Sequence, residues 1–269
     1  MKRNLKNITL LLLLITTTFA YGEENSPDSY KQQREAIVNR YSKSKPKIFS
    51  QWTPGVKFRI DTSEKIAVIT LDACGGKKGS GYDRELIDFL RENKIPASLF
   101  MTGLWIDANP ALVKELAADP LFDIENHGMA HKPASVNGSK IYGRRGTKNP
   151  GELVDEVELN AIKIEKITGT RPIFYRPGTA YFDDVAVKIV YDLNQIPMNF
   201  SIVSGDAAGF RPEKITRRIV TGIENGSVII GHMNRPGKNL YPAMKKSILQ
   251  LKEKGYRFVK LREYRNSLK

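Results

Sequence analysis

The sequence predicts an α/β fold, a distorted barrel of about seven parallel strands, each followed by a helix. Three observations carry that expectation. Short apolar runs rich in β-branched residues alternate seven times with segments of helical period from Lys65 onward. The chain length suits a single α/β barrel domain. Chemically reactive side chains recur where the predicted strands end, as they do in barrels of the TIM type. An open doubly wound sheet is the alternative that the same alternation allows.

In chain order, MKRNLKNITLLLLLITTTFAYG places Lys2, Arg3 and Lys6 before an uncharged run from Ile8 to Ala20. Small residues at Ala20 and Gly22 precede Glu23, so residues 1–22 read as a secretory signal peptide. The run is short for a bilayer-spanning helix, and an uncleaved anchor is the alternative. Residues 23–64 are polar and lysine-rich and read as an arm, with a short helix over about 29–41 that Pro46 and its neighbours end. Residues 65–269 form the barrel domain. Strands are predicted at KIAVITLD, PASLFMTG, FDIENH, PIFYRP, MNFSIVSGD, GSVIIGH and YRFVKL. Helices are predicted at YDRELIDFLREN, PALVKELAADP, 150–168, 183–193, 212–224 and 240–254.

The formal charge is +14, of which three cations lie in the first 22 residues. That excess suits anionic surroundings such as acidic envelope polymers. The cations are scattered and form no recognition motif, so nucleic acid is not expected as a partner, nor is a stable membrane span once the signal is cleaved. The single cysteine, Cys74, excludes an intramolecular disulfide. The expected location is the periplasm or the cell exterior.

Asp72, His127, Arg176, Asp206 and His232 each end a predicted strand, and His131 follows His127 by four residues. The chain's three histidines all fall at such places. His127 and His131 have neutral imidazoles suited to zinc and its neighbours. Gly128 stands where a zinc-protease helix needs glutamate, which excludes that chemistry.

TLDA (70–73), NHGMAH (126–131), YRPG (175–178), GDA (205–207) and IGH (230–232) together resemble the five ordered motifs of the polysaccharide deacetylases, the NodB-homology carbohydrate esterases of family four. The likeness spans about residues 65–262. It implies a divalent metal, zinc first with cobalt or nickel as alternatives, and an N-acetylated amino-sugar polymer as substrate. It also implies roles: Asp72 as base, His127 and His131 as metal ligands, and Arg176 orienting the base. Asp206 would tune His232, the general acid, while Ile230 would wall the acetyl pocket and Tyr175 would touch substrate.

The chain departs from the family at Ala73, where a second, metal-binding aspartate is expected. The third ligand is then water, Asp72, Glu125 or Asp83, and Ala73→Asp is expected to restore it. Loss of catalysis is the remaining alternative. Cys74 reads as a small buried residue or a weak metal neighbour, and GGKKGSG (75–81) as a flexible flap. Rival functions are non-catalytic glycan binding and a small-molecule amidase or deformylase.

Overall fold

The computed structural model describes residues 27–269, so the expected signal peptide lies outside the described residues. A curled parallel sheet forms the centre. Its strands are β1 (Ile66–Ala73), β2 (Ala97–Met101), β3 (Phe122–Asn126), β4 (Phe174–Tyr175), β5 (Ile196–Pro197), β6 (Ile202–Val203) and β7 (Ser227–His232). They lie in the order β6-β7-β1-β2-β3-β4-β5, and β8 (Arg257–Phe258) pairs with the first residues of β1. β5 and β6 belong to one stretch, 196–203, which pairs with β4 at its start and with β7 at its end. A single run of chain thus spans the two edges of the sheet, giving a distorted barrel.

Eight helices surround the sheet among the described residues. They are α1 (Pro27–Tyr41), α2 (Arg84–Glu92), α3 (Gly103–Ala108), α4 (Pro110–Ala118), α5 (Pro150–Thr168), α6 (Asp184–Asp192), α7 (Pro212–Gly222) and α8 (Leu240–Glu253). Helix ends follow local chemistry. Asp83 caps α2 by accepting from the Leu86 N–H, and Asn149 caps α5 ahead of Pro150 at its first turn. Gly169 ends α5 in the left-handed region, at φ 71°.

All eight residues of β1 are buried, as a central parallel strand covered on both faces requires. Period-two alternation divides them. Ala67, Ile69, Leu71 and Ala73 join the apolar layer under α2, α4, α7 and α8. Ile66 and Val68 join an interior cluster with Phe100, Phe174, Phe200 and Ile230. Each fully buried aliphatic side chain contributes about 1.5–3 kcal/mol.

The described part of the polar arm is built into the domain rather than leading to it. Ile37 of α1 is buried against α5, and Arg34 Nε donates to Asp155 Oδ1 at 2.6 Å. Further on, the Lys57 N–H donates to the Pro197 carbonyl, and the Ile60 N–H to that of Gly226. The barrel is therefore buttressed by backbone pairing from a segment whose composition alone reads as solvated. No helix among the described residues is long and apolar enough to cross a membrane.

Candidate active site

Strand register assembles the site. His232 on β7 is level with Asp72 on β1, Asp72 with Phe100 on β2, and Met101 with Asn126 on β3, one residue before His127. Arg176 follows β4 directly. The reactive groups thus collect at the C-terminal ends of adjacent strands, around a cavity of about 510 Å³. Asp72, Cys74, His127, His131, Asp206 and His232 all line it.

Asp72 and Arg176 form a buried pair. Arg176 Nη1 donates to Asp72 Oδ1 at 2.6 Å and to Thr70 Oγ1 at 3.1 Å. Its remaining donors reach the Asn199 and Met198 carbonyls, and its guanidinium lies 4.1 Å from the Phe100 ring centroid. Burial alone would raise the Asp72 carboxyl, but Arg176, His127 and His232 hold it below its ordinary value.

His232 Nδ1 lies 3.1 Å from Asp206 Oδ2, and Ser204 Oγ donates to Asp206 Oδ1 at 2.6 Å. Burial opposes protonation of His232, yet the hydrogen bond to Asp206 lifts its pKa well above the usual imidazole value. The contact with Asp206 thus favours the protonated imidazole.

His127 is fixed by its Nδ1–H, which donates to the Arg176 carbonyl at 2.7 Å. That bond sets the tautomer and turns the Nε2 lone pair toward Asp72 Oδ2, 3.5 Å away, and Cys74 Sγ, 3.9 Å away. Burial lowers its pKa, but the Asp72 carboxylate and the Cys74 contact outweigh it. The negative potential that favours a proton there favours a metal cation equally. Burial keeps His131 neutral, with its pKa lowered.

The 127–131 loop has its own support. Glu156 of α5 accepts from the backbone N–H groups of Ala130 and Lys132, at 3.0 Å each. Gly128 sits at φ 83°, and a Cβ there would come within 2.5 Å of Glu156 Oε1. A Cβ on Gly178 would fall 2.1 Å from the His131 carbonyl oxygen. These glycines allow the close approach that brings both imidazoles together. Glu156 was not legible as a site residue, because a mid-helix glutamate carries no local signal of such a role.

Among the described residues, one group of His, Cys, Asp and Glu side chains suits a metal: Cys74, His127 and His131, with ligand atoms all within 4.8 Å of one another. A thiolate and two imidazoles fit zinc, cobalt or nickel. Cys74, which the sequence offers as a small buried residue or a weak metal neighbour, has its thiol drawn well below its ordinary pKa, against burial, by His127, His131 and His232.

Several expectations change. Glu125 shares a strand face with His127 but lies two residues deeper, about 6–7 Å along the strand. Its carboxylate accepts from the Ile173 and Phe174 N–H groups and pairs with Arg262 at 2.9 Å. Burial raises it to about 7. Asp83 is occupied as the cap of α2. Both carboxylates are thus committed to contacts away from the two imidazoles. Glu125→Gln is expected to leave metal affinity unchanged in a chelator-competition titration, whereas His127→Ala and His131→Ala should each abolish metal retention.

Ala73 is fully buried in the helix-facing apolar layer, so an aspartate placed there would meet apolar neighbours. Tyr175, between inward-facing Phe174 and Arg176, turns outward against Phe182 and does not line the cavity. Ile230 does line it, beside Phe200. The 75–81 loop is a hydrogen-bonded turn, anchored by Asn234 Nδ2 to the Gly79 carbonyl and by Trp105 Nε1 to that of Gly81.

Comparison with known proteins follows the same residues. The family model for polysaccharide deacetylases matches residues 59–196, a span that holds Asp72, Cys74, His127, His131 and Arg176. A peptidoglycan-N-acetylglucosamine deacetylase of Bacillus cereus is 26% identical over 211 residues, 77% of this chain and 92% of that protein. A CE4 family pseudoenzyme from Bacillus anthracis has the same fold, with a TM-score of 0.66 at 20% identity over 79% of this chain and 69% of that one. A family 4 acetyl xylan esterase from Clostridium thermocellum, solved with a cobalt ion, gives 0.61 at 21% identity over 74% and 90%. With strand order, strand-end residues and family model in agreement, the chain belongs to the polysaccharide deacetylase family.

Proposed function

We propose that the protein hydrolyses N-acetyl groups on an amino-sugar polymer of the cell envelope, outside the cytoplasm, with a divalent metal held at His127 and His131. The observation that carries this reading is the pairing of opposite proton habits across one cavity. Asp72 is held ionised by Arg176, and His232 is held protonated by Asp206. That is the division a hydrolase needs between base and acid.

A bound divalent cation supplies Lewis acidity toward water and the amide carbonyl. Asp72 takes the proton of the attacking water, and Arg176 keeps its carboxylate ionised and aimed. His232 gives its proton to the departing amine nitrogen. Ile230 and Phe200 offer an apolar wall for the acetyl methyl group. Tyr142, 73% exposed at the rim, offers a ring face to a sugar.

Non-catalytic glycan binding is the second reading, favoured by Ala73 in the position of an aspartate. The two intact proton-handling pairs weigh against it, since binding alone requires neither. Acetate release separates the two. Peptidoglycan and N-acetylglucosamine oligomers should both yield acetate, and acetylated xylan, an ester substrate, should yield less. Binding to glycan without acetate from any polymer would leave only the second reading. The pH profile adds a check. Because Asp206 raises the His232 pKa, activity should persist above the ordinary imidazole range, and Asp206→Asn should move the alkaline limb to lower pH. An unmoved limb would remove His232 from the role of acid.

A further inference from the structure

The metal shell of this chain lacks a carboxylate where the sequence leads one to expect it, and the structure offers a replacement of different chemistry. Alternation along β1 and the residue after it sends Ala73 to the helix layer, so residues 72 and 74 are the ones presented to the cavity. Asp72 gives Oδ1 to Arg176, and although its Oδ2 lies 3.5 Å from His127 Nε2 it is not in the group whose ligand atoms are all mutually close. Glu125 and Asp83 are committed elsewhere. Cys74 is in that group, and it is the chain's single cysteine.

We infer that Cys74 is the third protein ligand of the metal, so that the site is a Cys–His–His centre binding a borderline-soft cation, zinc above all. The inference rests on the reading that this cavity holds the metal, but not on which polymer is cut. A tetrahedral centre with ordinary zinc–sulfur and zinc–nitrogen lengths separates S from N by about 3.6 Å. Cys74 Sγ and His127 Nε2 stand 3.9 Å apart, within a small side-chain adjustment of that spacing. The Arg176 carbonyl already orients His127, so Nε2 faces the sulfur without any rotation. Three protein ligands leave one tetrahedral position open, as hydrolysis requires. A thiolate also shifts selectivity away from hard cations such as magnesium and manganese.

The test uses the purified protein loaded with cobalt(II) or zinc. The cobalt protein should show the near-ultraviolet sulfur-to-cobalt charge-transfer band, and Cys74→Ser should abolish it. Ligating side chains matter more than their hydrogen-bond partners, so Cys74→Ser should weaken zinc binding by at least about a hundredfold in chelator competition. Zinc should protect Cys74 from iodoacetamide in the wild type. Thermal unfolding of the metal-free proteins, with Cys74→Ala as a second variant, separates ligand loss from misfolding. A cobalt protein without the sulfur band, or Cys74→Ser with wild-type zinc affinity, overturns the inference. The sulfur band with no acetate released from any polymer would uphold sulfur ligation while removing the deacetylase reading.

Discussion

Asp72→Asn is expected to lower kcat by about a hundredfold to ten-thousandfold, the usual worth of a positioned general base. The substitution keeps the shape of the side chain and an oxygen to accept from Arg176 Nη1, so the buried pair remains hydrogen-bonded. What it removes is the capacity to take a proton from water. Metal content should stay close to wild type, because Asp72 stands outside the Cys74, His127 and His131 group. Turnover and metal stoichiometry measured on the same preparation check both halves. Loss of metal together with activity would make Asp72 a ligand and not the base.

Arg176→Met is expected to cost about 3–5 kcal/mol of stability at neutral pH, the range for removing one partner of a buried ion pair. Arg176 is fully buried, and its loss leaves the Asp72 carboxylate beside apolar rings with no guanidinium. The pH dependence has a definite sign. In the wild type the Asp72 pKa is depressed, so its contribution is present above the unfolded value of 3.8 and is lost as pH falls through the lower folded value. In the variant burial still raises the Asp72 pKa while His127 and His232 alone oppose it, so the folded value moves up and the deficit shrinks as pH falls and the carboxyl protonates. Urea unfolding of wild type, Arg176→Met and Arg176→Met/Asp72→Asn at several pH values measures this. The double variant should recover part of the loss. The Asn199 and Met198 carbonyls, which Arg176 also satisfies, hold back the rest. A single-variant loss below about 1 kcal/mol would mean the pair contributes little, as exposed ion pairs do.

Much of this architecture was legible because the long strands are unbroken apolar runs and the helices carry clear caps. The run KIAVITLD could only be a strand buried on both faces, and β1 is one. PASLFMTG was read two residues too far. Thr102 caps the short helix α3 by accepting from the Trp105 N–H, a signal that the apolar residues on either side obscured. Of the strand expected at 198–206 only Ile202–Val203 is regular and pairs with β7, while Ile196–Pro197 just before it pairs with β4, since the chain must change partners as it crosses the sheet.

Of the candidate site, the strand-end residues were legible from position, and the structure brings Asp72, His127, His131, Arg176, Asp206 and His232 together. The third ligand was not. Placing residues by motif singled out Ala73, whereas the alternation of the strand singles out Cys74. Glu125 shares the strand face of His127, but strand alternation carries no information on its depth in the barrel. The resemblance carries Tyr175 with the YRPG motif, but neighbours along a strand point to opposite sides, and it is Arg176 that faces the cavity region while Tyr175 packs on Phe182. Glu156 stayed hidden because its partners are backbone N–H groups 24 and 26 residues away.

We propose this cavity as a working, metal-dependent hydrolytic centre. It is tested most directly by acetate release from purified peptidoglycan, using the protein stripped of metal and the same protein reloaded with one equivalent of zinc or cobalt. Release should be negligible from the stripped protein, catalytic after reloading, and absent after reloading the His127→Ala variant. Equal release with and without metal, or no release after stoichiometric reloading of the wild type, would contradict it.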